Sequence, residues 1–310
     1  RHEAPGNTGA THLLEHLMFK GSARYNRERG TEVARELHRV GAIYNATTWL
    51  DRTNYYEVLP VGHLPLAVAI EADRMRGALL REGDLASERT VVLNELDQGE
   101  NEPFELLMKM SFAQAYLEHP YRHPTIGWRS DVEGMRAADL RRFYDTYYHP
   151  DNATAIVVGD IDEAAALAAV ARGFGGIPPK GDGGFPASSG REGEQRGERR
   201  FELHRAGELA CLALTWHIPP GLHDDLPPLA VLTQVLGDGV TSRLHQRLVE
   251  TNLCLGVQAY AMELHDPGVF QVFATVAPGV ERSAVEEAIR AEVAALRAAP
   301  PTAEEVARAR

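Results

Sequence analysis

Apolar residues spaced three and four apart predict helices over residues 10–19, 31–41, 64–80, 86–98, 103–118, 137–147 and 162–174. Residues 1–9 form a loop in which Asn7 or Thr8 can cap the first helix, and Gly21 stops it. Residues 42–60 are rich in β-branched and aromatic side chains, and a polar break at Asp51-Arg52 divides them, which predicts a hairpin. The apolar run Ala153-Thr-Ala-Ile-Val-Val-Gly159 predicts a buried strand. Residues 178–199 are dense in Gly, Pro, Ser and charge and read as a linker. Beyond it the pattern predicts strands over 201–206 and 210–218 and helices over 225–236 and 241–252. A hairpin (255–264 with 268–277), a helix over 281–298 and a final helix from 302 complete the chain.

The order of elements repeats. Hairpin, helix, helix occurs at 42–98 and again from 255 to the end. This divides the chain into residues 1–177, a linker over 178–199, and a related second domain over 200–310. The second copy opens with two strands that the first lacks, and the first continues past the point where the second stops. Element order therefore predicts a fragment cut at both ends.

Composition narrows the class. Of 310 residues, 44% are hydrophobic and 25% charged, the balance of a soluble globular chain with room for two domains. No apolar run approaches the roughly 18–20 residues that span a bilayer. The net charge of -12 makes nucleic acid an unsuitable partner. Cys211 and Cys254 both lie in apolar, strand-like runs and read as buried, inert thiols.

The chemistry concentrates in His12-Leu-Leu-Glu-His16. Positions i, i+3 and i+4 share one helical face, so two imidazoles and a carboxylate stand together. This order is the inverted zincin motif. Leucines cover much of the rest of the helix, and a polar triad on a buried helix needs a partner such as a divalent metal. Catalytic zinc takes three protein ligands and keeps one position for water. His119 and His123 are each followed by proline and cannot offer a helical pair. Glu88, Val91, Val92 and Glu95 share a face over 86–98. Glu95 is the expected third ligand, and Glu88 an acid behind the ligands or on the substrate side. The alternative is a surface helix that happens to carry acids.

Gly9-Ala-Thr-His-Leu-Leu-Glu-His-Leu-Met-Phe-Lys-Gly-Ser22 resembles the active-site helix of the pitrilysin (insulinase, M16) family of zinc metallopeptidases. Glu88-Arg-Thr-Val-Val-Leu-Asn-Glu95 resembles that family's second acidic segment. Asn45-Ala-Thr47 with Thr53-Asn-Tyr-Tyr56 resembles its substrate hairpin. His119 to Asp131 resembles its H-P-Y-x-H-P-x-x-G-x-x-x-D loop, and Leu236 to Leu244 the opening of its second domain. The layout is nearest to bacterial members like the mitochondrial processing peptidase.

The resemblance implies an α+β fold of two homologous domains, each a largely antiparallel sheet with helices on one face. It implies one Zn2+ per chain on His12, His16 and Glu95, with Glu15 as general base for cutting peptides or unfolded protein. Asn45, Ala46 and Thr47 would pair with an extended substrate. Active relatives also use an arginine and a tyrosine from a non-catalytic domain, and residues 268–283 offer neither in the matching places. That departure predicts a homologous partner subunit, in a heterodimer or homodimer, and an isolated chain without turnover. A non-catalytic core subunit or a peptide-binding module with a retained metal are the alternatives. Such subunits usually lose a ligand or the base, whereas His12, Glu15, His16 and Glu95 are all present. The compartment stays open, with bacterial cytoplasm and periplasm both allowed.

Overall fold

The structure is a computed structural model that describes every residue except 182, 183, 189 and 208. The chain folds into two compact units, and each is interrupted in sequence by the other. One comprises Arg1–Gly99 with Glu118–Arg191, and the other Glu100–Leu117 with Glu192–Arg310.

The first unit begins with α1 (Ala10–Leu17), α2 (Val33–Arg39) and the antiparallel pair β1 (Ile43–Thr48) and β2 (Thr53–Val58). Then come α3 (Leu64–Gly77) and α4 (Glu82–Asn101), whose last two residues pass into the second unit. After α5 (Pro103–Ala115), the first unit resumes with α6 (Arg129–Gly134), α7 (Ala137–Tyr147) and α8 (Glu163–Phe174). Leu13, Leu14 and Leu17 of α1 are buried against Leu85 and Val92 of α4, Val132, and Leu140 and Tyr144 of α7. Each buried leucine contributes about 1.5–3 kcal/mol, so α1 is anchored on three sides with its polar face left for chemistry. A second cluster of Tyr25, Val33, Leu37, Ala42 and Ile70 supports α2 and the start of β1. Strand register pairs Thr48 with Thr53 and Ala46 with Tyr55.

Two local expectations change. Neither Asn7 nor Thr8 caps α1. The cap position is Gly9, left-handed at φ 85, with no side-chain cap of its own. The carboxylate of Glu3 takes the orphan donors instead, accepting from Gly9 N at 2.9 Å and Thr11 N at 2.7 Å. Residues 153–159 form no strand. A strand needs a ladder, and β1–β2 is the only sheet of this unit among the described residues. Ile156 and Val158 are accordingly 80% and 90% exposed. They line, with Tyr55, Glu57 and Arg74, a groove of about 1480 Å³ that does not include His12, His16 or Glu95.

The second unit contains α5, β3 (Cys211–Ile218), α9 (Leu226–Gly237), β4 (Cys254–Met262), β5 (Gly268–Val276), α10 (Arg282–Ala298) and α11 (Ala303–Arg308). A π-wound turn, His245–Val249, stands where a regular helix over 241–252 is expected. The sheet is antiparallel in the order β3–β5–β4. Its core joins Leu214, Val272, Ala274 and Ala259 to Leu236, Val285 and Ile289. Residues 201–206, expected as a strand, pair with nothing in this sheet. Cys211 and Cys254 are free thiols, Cys254 buried and Cys211 partly so. No described helix is long and apolar enough to cross a membrane.

Candidate metal centre

His12 and His16 lie one turn apart on α1, and Glu95 reaches them from α4. His12 Nε2 and His16 Nε2 each stand 3.7 Å from Glu95 Oε2. One ligand atom from each residue lies within 4.8 Å of the others, and no other such group of His, Cys, Asp or Glu occurs among the described residues. The two rings meet edge to face, with centroids 4.8 Å apart.

This donor set fits a divalent zinc. Two imidazole nitrogens and one carboxylate oxygen are ligands zinc accepts, and three protein ligands leave a position open. Burial, with His16 beside it, lowers the His12 imidazole to about 4. The ring is therefore neutral at physiological pH and has a lone pair to donate. Glu88 Oε2 is 3.0 Å from His16 Nδ1. A carboxylate there holds the ring proton on Nδ1 and leaves Nε2 as the donor atom facing Glu95. Lys20 Nζ lies 2.6 Å from the other Glu88 oxygen, so Glu88 bridges a cation and the imidazole. His12 differs, because its Nδ1 is buried with no hydrogen-bond partner among the described residues.

Glu15 is buried on the same helix. Burial raises its carboxyl above the usual range. Thr48 and His16 pull it back, and Glu95 adds to the rise. Thr48 Oγ1 donates to Glu15 Oε2, and Thr53 Oγ1 lies 3.3 Å from the same hydroxyl.

Five residues singled out in sequence, His12, Glu15, His16, Glu88 and Glu95, therefore converge. The face of α4 is narrower than expected. Glu88 and Val92 point inward, whereas Val91 is 40% exposed. Asn45, Ala46 and Thr47 lie on β1, and their described bonds are local. Asn45 Oδ1 accepts from Ala46 N at 2.9 Å, and Arg52 Nη1 donates to Thr47 Oγ1 at 2.9 Å. Among the described residues, the hydrogen bond joining β1 to the centre comes from Thr48. Sequence reading missed Thr48 and Lys20. Strand alternation puts Thr48 on the buried face of Ala46, so that residue had a signal, whereas Lys20 lies in the turn after α1, beyond the reach of helical spacing.

Known proteins bear on the same residues. The family described as "Insulinase (Peptidase family M16)" matches residues 1–127, and "Peptidase M16 inactive domain" matches residues 134–310. The zinc protease PqqE of Helicobacter pylori is 30% identical over 293 residues, 93% of this chain and 65% of that protein. The chain spans 61–65% of the length of three curated relatives that it matches. The crystal structure of a protease from Helicobacter pylori superposes with a TM-score of 0.94 at 28% identity, over 99% of this chain and 74% of that one. The periplasmic protease PqqL from Escherichia coli shares the fold at a TM-score of 0.74 and 21% identity, over 99% of this chain and 35% of that one.

Proposed function

The chain belongs to peptidase family M16, and from that premise we propose that it is the metal-bearing part of a zinc-dependent endopeptidase. The observation that carries the reading is the approach of His12 Nε2 and His16 Nε2 to within 3.7 Å of Glu95 Oε2 beside the buried carboxylate of Glu15. Its relatives' description as zinc proteases supports the choice of metal.

His12, His16 and Glu95 would hold the ion. A zinc ion there supplies Lewis acidity, lowering the pKa of a water toward about 7 and polarising a scissile carbonyl. Glu15 takes the proton from the attacking water and returns it to the leaving amine. Thr48 holds one oxygen of Glu15, which leaves the other free to face the water. Glu88 fixes the tautomer and tilt of His16. Asn45, Ala46 and Thr47 offer an extended substrate the backbone of an exposed strand, so selection by side chain is weak. Ala46 N must exchange its bond from Asn45 Oδ1 for one to the peptide.

The substrate is a peptide or unfolded segment. The partner is a second M16-type subunit or domain without a metal, which would supply the arginine and tyrosine that residues 268–283 do not offer in the matching places. The test compares the chain with its Glu15→Gln variant for zinc content and for hydrolysis of an unstructured peptide, alone and with such a partner. Stoichiometric zinc in both, with turnover only in the paired wild type, is the expected result. Absence of zinc from the wild type at micromolar supply overturns the reading.

A further inference from the structure

The loop from His119 to Asp131 carries a dense motif yet supplies no metal ligand and no part of the chemistry above. Its two ends hold two different elements. At one end, Asp131 Oδ2 accepts from Thr8 N at 3.1 Å, Thr8 Oγ1 at 2.7 Å and Gly6 N at 3.2 Å. Thr8 Oγ1 in turn accepts from Trp128 N at 2.9 Å. Thr8 immediately precedes Gly9, where α1 begins. Gly127 is pressed against the same turn. A Cβ there would stand 2.5 Å from Thr8 O and 2.8 Å from Gly9 Cα, and its φ of +88 is already left-handed. At the other end, the hydroxyl of the fully buried Tyr121 donates to Asp51, 2.8 and 2.9 Å from its two oxygens. Asp51 sits in the turn between β1 and β2.

We propose that this loop is a brace that fixes the active-site helix relative to the substrate hairpin. The Thr8–Asp131 end seats the first turn of α1, and the Tyr121–Asp51 end seats the tip of the hairpin. The proposal rests on the zinc-peptidase reading. These are positioning residues, remote from metal and peptide. Hydrogen bonds to a carboxylate are stronger than neutral ones and hold direction, so Asp131 sets where along its axis α1 begins. That setting decides whether His12 and His16 meet Glu95. The hairpin must keep a matching position, because Thr48 reaches Glu15 from β1. A displacement of about 1 Å at such a distance from the chemistry can cost about a hundredfold in rate. The pattern P-Y…G-x-x-x-D thereby gains a physical meaning: a hydroxyl for the hairpin, a residue without Cβ at the helix start, and a carboxylate for the Gly6 and Thr8 donors just ahead of that start.

Cobalt(II) is the probe, because its visible absorption reports ligand geometry. It is titrated into the metal-free chain and into Thr8→Val and Thr8→Ser. Thr8→Val loses both bonds of the hydroxyl and is expected to bind cobalt about tenfold more weakly with an altered band. Thr8→Ser keeps the hydroxyl and is expected to match the wild type. Asp131→Asn replaces Thr8→Val if the latter does not fold, with the same expected loss. Tyr121→Phe is expected to keep cobalt affinity while trypsin cuts after the exposed Arg52 about fivefold faster. Wild-type cobalt affinity and spectrum in the folded Thr8→Val or Asp131→Asn variant, or wild-type cleavage of Tyr121→Phe, overturns the brace. A wild type that binds no cobalt overturns the zinc reading instead, and the trypsin comparison still decides the hairpin end.

Discussion

Glu88 Oε2 stands 3.0 Å from His16 Nδ1, on the side of the ring opposite the atom that faces Glu95. With Lys20 on its other oxygen, Glu88 is held as an acceptor, and the imidazole is locked in one tautomer. Glu88→Gln loses the charge that both partners use. Zinc affinity is expected to fall by about 10–100-fold, the cost of removing a carboxylate behind a ligating histidine. Chelator competition at neutral pH measures it, and unchanged affinity would assign Glu88 to packing alone.

Glu15 is not among the three residues proposed to hold the metal, so its replacement separates binding from catalysis. Glu15→Gln is expected to retain zinc at wild-type stoichiometry and to lose hydrolysis by about 10²–10⁴-fold, the usual size of general-base assistance. Metal analysis beside an assay with the partner present checks both halves. Retained turnover would remove Glu15 from the role of base.

The raised carboxyl of Glu15 has a direction in pH. The base must be ionised to take a proton, and burial shifts its ionisation to higher pH. Activity is therefore expected to fall, as the medium is acidified, at a pH above the ordinary glutamate range. Thr48→Val removes the hydrogen bond that opposes the shift and should move the acid limb of kcat/KM further up, whereas Thr48→Ser should leave it in place.

How much of this was legible in sequence depends on how local each relationship is. His12, Glu15 and His16 lie within one helical turn and a half, so periodicity alone brings them together. Glu88 and Glu95 are also two turns of one helix, which is why both reach the same centre. Relationships that cross between elements left no periodic trace. Glu3 caps α1 from outside the helix, and Asp131 contacts Thr8 across a sequence separation of 123 residues. The run 153–159 shows the opposite error. Its β-branched residues favour a strand, but propensity cannot supply the neighbour that a ladder requires.

Arg74 is a buried guanidinium between two rings, 5.0 Å from the Phe19 centroid and 4.4 Å from that of Tyr55. Its Nε donates to Glu71 at 2.9 Å, and Nη2 reaches Glu57 at 3.3 Å. Burial, with Glu71 alongside, raises the Glu57 carboxyl, and the Arg74 guanidinium opposes that rise. Arg74→Ala is expected to destabilise the fold by about 3–5 kcal/mol, the range for breaking a buried pair. Arg74→Lys should recover little, because an ammonium cannot stack and fork together. Urea unfolding of all three proteins measures the ranking.

His12 gives the metal-free protein a pH-dependent stability with a defined sign. Its imidazole titrates at about 4 when folded, against 6.5 for an exposed ring, because burial and His16 disfavour the charged form. Between those values the unfolded chain binds the proton and the folded chain does not, so acid favours unfolding. The contribution of this group is complete above pH 6.5, declines as pH falls toward 4, and is constant below. The gap corresponds to about 3 kcal/mol. Urea unfolding of metal-free protein at pH 7 and pH 4.5 is expected to show the loss, and His12→Asn, which has no titrating ring, should lose less between the two. Equal losses in both proteins would mean that His12 is protonated as readily inside the fold as outside it. Zinc should enlarge the difference, because metal and proton compete for the same Nε2 lone pair. The metal's stabilisation is then strongest where the ring is neutral and fades across the acid side of the same window.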